Sequence, residues 1–267
     1  MKFTSPSKIN FALWVKEYRS DGYHEIETVF YENKNLVDEV EIDTSQNNLY
    51  DIRINFLQSE LNNLIPVEKN LTYKAAKLFF EKANIKSSCE IKINKRIPLQ
   101  AGLGGGSSNA ATVLKGLNKM FSDKFTQAEL LTMGNELGAD VPFFIIGGTC
   151  LAKGKGEILQ PVENNLNLEV KIFKPQNISI DTKWAYDQID AREFLHDRSY
   201  EIKNLLLGMK TRDYKLFSKS TFNDFETVVF SYYPELMNVR NKFLKDGYSV
   251  SGLCGSGSAV YGVLIKP

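Results

Sequence analysis

The sequence predicts an α+β protein, with helices and mixed or antiparallel sheets laid down in separate runs rather than as a doubly wound parallel sheet. Three observations carry this. Period-two apolar alternation dominates the first third of the chain. A glycine-rich turn leading into a helical pattern occupies the middle. Helical spacing then prevails from about residue 182 to 245, before a final pair of strands.

In order, Ile9, Phe11, Leu13 and Val15 alternate with Lys8, Asn10, Ala12 and Trp14, which predicts a strand with one apolar face and Lys8 and Asn10 on the other. Arg19-Ser-Asp-Gly22 is a turn. Two further strands are expected, at 25–31 and 38–43, then a polar stretch over 44–66 holding a short strand at Ile52, Ile54 and Phe56. Asn70 suits the cap of a helix whose apolar positions are Leu71, Ala75, Leu78, Phe79 and Ala83. Cys89, Ile91 and Ile93 alternate as a strand that runs into Lys95-Arg96 and the glycine-rich turn. A helix follows from near Ser107 to Met120. Thr126-Gln-Ala-Glu129 is a capping box opening a helix to Leu137. Gly138-Ala-Asp-Val-Pro142 breaks it, because the residue before a proline avoids the helical region. Gly147-Gly148 leads into a hairpin-like pair, 149–153 and 157–160, and 168–173 reads as a strand. Pro234 and Gly247 bound the clearest late helix. The last strands, 248–251 and 259–265, flank Gly252-Leu-Cys-Gly-Ser-Gly-Ser258.

A length of 267 residues fits one large domain or two joined ones, and the change in pattern puts a boundary near residue 150, giving 1–150 and 151–267. Apolar residues at 43% suffice for a real core, and 33 basic against 32 acidic side chains give no electrostatic reason to expect nucleic acid or an anionic membrane. Cys89, Cys150 and Cys254 are far apart and form no Cys-x-x-Cys pair, so reduced thiols are expected rather than a disulfide framework or zinc site. The first residues lack the apolar core of a signal peptide, and no apolar run reaches the roughly 18 residues of a membrane span. The expectation is a cytoplasmic protein.

The strongest chemical signal is Pro98-Leu-Gln-Ala-Gly-Leu-Gly-Gly-Gly-Ser-Ser-Asn-Ala-Ala111. Glycines let backbone N–H groups approach a ligand, and the helix that follows carries unpaired N–H groups and partial positive charge at its start. A simple turn needs one glycine, not three in a row, so a phosphate cradle is favoured. It is neither a Walker A loop nor a dinucleotide fingerprint, because no lysine follows at the required place and Ser107 stands where the latter needs its third glycine. Lys8, the Tyr23-His24 pair, Asp140 and the Gly252–Ser258 loop each have an ordinary structural explanation when taken alone.

Taken together, Pro6-Ser-Lys-Ile-Asn10, the glycine-rich turn and the C-terminal Gly-Ser-Gly-Ser loop resemble the three motifs of the small-molecule kinase superfamily of galactokinase, homoserine kinase, mevalonate kinase and phosphomevalonate kinase. Arg19-Ser-Asp-Gly-Tyr-His24 and Gly138-Ala-Asp-Val-Pro-Phe143 make the sequence most similar, within it, to the family that phosphorylates 4-diphosphocytidyl-2-C-methyl-D-erythritol. The resemblance spans roughly residues 3 to 263 and implies a two-lobed GHMP-type kinase fold, with an ATP-binding N-terminal domain and a substrate-binding C-terminal one. It implies ATP-dependent phosphorylation of the substrate's 2-hydroxyl. Asp140 would accept the hydroxyl proton, with Lys8 holding it ionised and offsetting developing charge. Lys95, Gly102, Leu103, Gly104, Gly105, Gly106, Ser107 and Ser108 would hold the ATP phosphates. Asn10, Tyr23 and His24 would face the substrate, Tyr23 stacking on the cytosine and His24 reading its edge. A second aromatic follows the strand that ends near Lys174; Tyr186 is favoured by spacing, with Trp184 the other candidate. Asn70 is a weaker candidate for the adenine pocket.

Mg²⁺ would ride on the phosphates, since no acidic cluster marks a protein-held metal site, with Ser108 a candidate hydroxyl ligand. The resemblance implies no nucleic-acid or membrane partner and a monomer or weak homodimer. Gln100 stands where the family usually has glycine, and Ser7 where it usually has alanine. Family members usually continue with a further helix and strand, whereas this sequence ends at Pro267. The alternatives are another kinase of the superfamily, of homoserine or mevalonate type, and a non-catalytic nucleotide-binding regulator. Tyr23-His24 argues against the first, because those substrates carry no base. Retention of both Lys8 and Asp140 argues against the second.

Overall fold

Two long strands, β1 (Lys2–Tyr18) and β2 (His24–Ser45), thread both of the compact units into which the chain divides. The computed structural model describes residues 1–45, 50–62, 65–191 and 196–266. One unit comprises Met1–Ser7, Leu36–Ile97 and Gly104–Gly147; the other comprises Lys8–Asn35, Pro98–Leu103 and Gly148–Pro267. The boundary expected near residue 150 falls close to where the chain leaves the first unit for the last time. The earlier segments interleave because β1, β2 and the glycine-rich turn each divide between the two.

In the first unit β4 (Ser88–Asn94) pairs antiparallel with β2 and parallel with β3 (Asp51–Phe56), setting Ile42 opposite Ile91 and Ile52 opposite Cys89. Its helices are α1 (Leu71–Ala83), α2 (Gly105–Met120), α3 (Gln127–Leu137) and the short α4 (Val141–Ile146). The two predicted caps form. The Asn70 side chain accepts from the Thr72 amide, and Thr126 and Glu129 complete the capping box. Val40, Ile42, Ile91 and Ile93 are fully buried together with Phe79, Phe80, Leu114 and Phe144. Phe79 meets Phe80 and Phe125 edge-on.

In the second unit β2 pairs antiparallel with β5 (Thr149–Lys153), which turns back into β6 (Ile158–Pro161), and β1 pairs parallel with the two-residue β8 (Phe222–Asn223). A second, antiparallel sheet runs β7–β10–β9, from Asn167–Phe173, Val260–Lys266 and Val250–Leu253. Among the described residues five α-helices accompany them: α5 (Thr182–Asp190), α6 (Ser199–Thr211), α7 (Tyr214–Lys219), α8 (Phe225–Tyr232) and α9 (Pro234–Lys245). Leu13 and Val15 of β1 join Phe225, Val228, Val229, Leu236, Leu253 and Val260 in one apolar core.

Three expectations need correction. The strands expected at 25–31 and 38–43 are one strand, because the polar run between them holds no glycine or proline to break it, only a change of unit at Leu36. α2 begins at Gly105 rather than near Ser107, the glycines themselves taking the first turn. The second face of β1 is not solvated: every residue from Ser5 to Leu13 is buried, Lys8 and Asn10 included.

Candidate active site

In the first unit the start of α2 lies open. Gly104 is its N-cap with no side-chain cap, and the first intrahelical bond runs from the Ser108 amide to the Gly104 carbonyl at 2.8 Å. The amides of Gly105, Gly106 and Ser107 therefore have no partner within the helix, and they carry its positive end. Gly106 is exposed, Gly105 and Ser107 half-buried, and Ser108 fully buried. A Cβ on Gly105 would come within 3.0 Å of the Ile97 side chain and 3.1 Å of the Lys95 ammonium, so any side chain there would press on both. Lys95 is itself buried, its ammonium 2.5 Å from Asp38.

Asp140 stands at the head of α4 with helical backbone angles, and its side chain does not cap that helix. The residue is half-buried.

In the second unit β1 delivers Lys8 and Asn10 into the interior. Burying an ammonium is costly unless it is partnered. The Lys8 ammonium donates to the Asn10 side-chain oxygen at 3.1 Å and lies 5.0 Å from the centre of the Phe30 ring. Asn10 is held in turn: its NH₂ donates to the Thr28 hydroxyl at 2.8 Å, and that hydroxyl donates to the Ala12 carbonyl. This chain fixes which way the Asn10 amide faces, and so where the Lys8 charge sits.

The two glycine loops meet beside that charge. Gly102 has φ +73°, and a Cβ there would fall 1.8 Å from the Cys254 carbonyl oxygen. The Leu103 carbonyl accepts from the Lys8 amide at 3.0 Å. The Lys8 ammonium also lies against Gly255, 3.5 Å from where a Cβ would stand. Asn223 pins this second loop by donating to the Leu253 and Gly255 carbonyls at 3.0 and 2.8 Å, and Glu226 accepts from the Leu253 amide at 2.8 Å. Burial pushes the Glu226 carboxyl above its ordinary value.

The aromatic candidates separate. His24 is buried, and its ring lies parallel to Tyr186 with centroids 4.8 Å apart. Its Nδ1 lies 3.2 Å from the Lys16 carbonyl oxygen. Nε2 faces the Asp190 carboxylate at 3.3 Å. Trp184, two residues before Tyr186 on α5, lies edge-on to the exposed Tyr232 and the half-buried Tyr233, whereas Tyr186 lies edge-on to the buried Phe225. Of the two candidates, Tyr186 is the one brought to His24. Tyr23 is exposed, with the Lys155 ammonium 4.3 Å from its ring centre.

Sequence reasoning passed over Asp38, Asn109 and Thr28. Asp38 had a legible signal: it shares a face of β2 with Val40 and Ile42, both buried, so an acid sits in phase with core positions. Asn109 lies inside the glycine-rich motif, yet nothing in its spacing says what it bonds. Thr28 needed the pairing of two distant strands.

Family models match two parts of the chain, GHMP kinases N terminal domain over residues 70–148 and GHMP kinases C terminal over residues 202–267. A protein of Alkaliphilus metalliredigens named 4-diphosphocytidyl-2-C-methyl-D-erythritol kinase is 37% identical over 98% of this chain and 87% of its own length. One of the same name from Shouchella clausii is 33% identical over 100% of this chain and 87% of its own. A crystal structure of 4-(cytidine 5'-diphospho)-2C-methyl-D-erythritol kinase superposes with a TM-score of 0.81 at 31% identity, covering 98% of this chain and 89% of that one. A homoserine kinase from Cytophaga hutchinsonii, at 20% identity and a TM-score of 0.70, shares the fold.

Proposed function

The chain belongs to the 4-diphosphocytidyl-2-C-methyl-D-erythritol kinase family of the GHMP kinases, and from that premise we propose that it transfers the γ-phosphoryl group of ATP to the 2-hydroxyl of this cytidylyl ester. The protein is an ATP-dependent kinase of the non-mevalonate route to isoprenoid precursors. The observation that carries the choice of substrate is the near full-length identity of 33–37% to relatives of that name.

Phosphoryl transfer asks the protein for position and charge rather than covalent work. The substrate oxygen bonds to the γ-phosphorus, the bond to the bridging oxygen breaks, and ADP leaves. The hydroxyl proton passes to Asp140, whose carboxylate is not spent on capping α4. Lys8 supplies positive charge to the transfer; its burial, with Asn10 and the glycine loops around it, makes that charge strong and fixed. The open amides of Gly105, Gly106 and Ser107 take the phosphates, with Gly102, Leu103, Gly104, Ser108 and Lys95 supporting the turn. Tyr23, exposed, is the first aromatic surface assigned to the base; Tyr186 and His24, which face each other, are assigned its second face and its edge. Residues read as nucleotide-facing thus belong mainly to the unit that holds α2, and those read as substrate-facing to the other.

Mg²⁺ neutralises the triphosphate when bound. The donor set around α2 is amides, hydroxyls and an ammonium, which fits an ion carried by the phosphates, with Ser108 its candidate hydroxyl. The three cysteines form no disulfide and are buried, and burial pushes the Cys89 and Cys150 thiols up to about 12 and about 11. No helix among the described residues is long and apolar enough to cross a membrane. We take the working form to be a monomer or weak homodimer.

The test is ADP release coupled to a reporter enzyme, with the cytidylyl ester set against homoserine and mevalonate. Turnover confined to the cytidylyl ester is expected; preference for either of the others overturns the substrate.

A further inference from the structure

Asp38 is an unexplained acid in the middle of the first unit. Its residue surface is 0% exposed, yet it lies on β2 in phase with Val40 and Ile42. A buried carboxylate survives only where donors surround it. Here four converge. Oδ1 accepts from the amides of Arg96 and Ile97 at 2.7 and 2.8 Å, and Oδ2 from the Lys95 ammonium at 2.5 Å and the Asn109 side-chain NH₂ at 2.9 Å. Lys95 and Asn109 also bond each other at 3.1 Å.

The arrangement has a direction. Asn109 donates on to the Ser5 hydroxyl at 2.9 Å, and Ser5 donates to the Ser108 hydroxyl at 2.7 Å. Each donor in the line has its acceptor ahead of it, and the line ends on Ser108, whose hydroxyl is held, fully buried, in the first turn of α2. Lys95, donating to the Asn109 side-chain oxygen, polarises that amide in the direction of the line, while Asp38 holds the same amide in place through its other N–H. At the other end the same carboxylate holds Lys95 under Gly105. One side chain on β2 therefore sets the backbone that enters the glycine-rich turn, the ammonium beneath it and the hydroxyl behind it.

We propose that Asp38 is the positioning residue for nucleotide binding, acting through Lys95 and through the Asn109–Ser5–Ser108 line rather than by touching ATP. This rests on the reading of the α2 start as the phosphate site. It predicts a defect that is selective for one substrate. The core around Asp38 also needs its acceptors, so loss of stability alone would not distinguish the two roles.

The experiment measures ATP affinity by titration calorimetry and both Michaelis constants, for the wild type, Asp38→Asn, Lys95→Met, the double variant and Ser5→Ala. Asn retains one oxygen for the Arg96 and Ile97 amides but loses the charge opposite Lys95. The expected result is ATP binding weakened about tenfold or more in Asp38→Asn, the scale of a lost charged hydrogen bond, with the Michaelis constant for the cytidylyl ester within about twofold of wild type. The double variant should be no weaker than the worse single one, since coupled partners are not additive. Ser5→Ala, which removes no charge and cuts the line before Ser108, should weaken ATP by about threefold or more. Unchanged ATP affinity in a folded Asp38→Asn overturns the proposal, as do additive losses in the double variant. If Asp38→Asn does not fold, unchanged affinity in Ser5→Ala overturns it. A wild type that binds ATP but does not turn over the cytidylyl ester would refute the substrate and leave this test standing.

Discussion

Gly102→Ala adds one carbon at the place where the two glycine loops of the second unit touch. The residue has φ +73°, which costs a non-glycine residue about 1 kcal/mol. The larger effect is steric. The new Cβ would lie 1.8 Å from the Cys254 carbonyl oxygen and 2.7 Å from its carbon, and real Cβ atoms essentially never come closer than 3.0 Å. Both partners are backbone, so neither can swing aside; the loops must part by about 1.2 Å. That displacement bears on the Leu103 carbonyl, which accepts from the Lys8 amide, and on the Ala101 carbonyl, which accepts from Ala259. Strain and overpacking together should remove about 2–4 kcal/mol of stability. Misplacement of a catalytic charge by about 1 Å can cost about a hundredfold in rate, so kcat/KM should fall by about that factor. Urea unfolding followed by fluorescence gives the first number, and coupled ADP release the second. A Gly102→Ala protein with the wild-type unfolding midpoint and kcat/KM would refute both the packing of the loops and their link to Lys8.

Three further outcomes are expected. Asp140→Asn should leave ATP affinity by calorimetry near wild type and lower turnover by about a hundredfold or more, as for other general bases; near-normal turnover removes Asp140 from the chemistry. His24→Ala should chiefly raise the Michaelis constant for the cytidylyl ester, and an unchanged value removes the imidazole from base recognition. Glu226 is held above its ordinary value of 4.5 by burial. The folded state then binds more protons than the unfolded one, so its contribution is fully present below about pH 4.5 and lost as pH rises through the folded value. Glu226→Gln keeps an acceptor for the Leu253 amide, and should flatten stability against pH in urea titrations just above that point. An unaltered slope would show that Glu226 is not the group responsible.

Much of this was legible along the chain because it is local. The capping box at Thr126 and Glu129, the Asn70 cap and the alternation of Cys89, Ile91 and Ile93 depend on neighbours a few residues away, and each takes its expected form. What escaped depends on distant pairing. β2 reads as two strands because its burial pattern changes where it passes from one unit to the other, while its backbone does not. Alternation put Lys8 and Asn10 on one face of β1, but it tells which side chains share a face, not what covers it. Spacing favoured Tyr186 over Trp184 but could not say which ring stands beside His24; in the fold it is Tyr186. Asp38 was overlooked although its phase with Val40 and Ile42 was visible, because an acid in a strand is usually read as its outward face.

The central claim is phosphoryl transfer from ATP to the 2-hydroxyl of the cytidylyl ester, and ³¹P nuclear magnetic resonance of the reaction mixture tests it most directly. The account predicts a new phosphomonoester resonance on the methylerythritol carbon 2, appearing in step with ADP while the diphosphate resonances of the ester persist. ADP accompanied only by inorganic phosphate, or a phosphomonoester at another carbon, would contradict it.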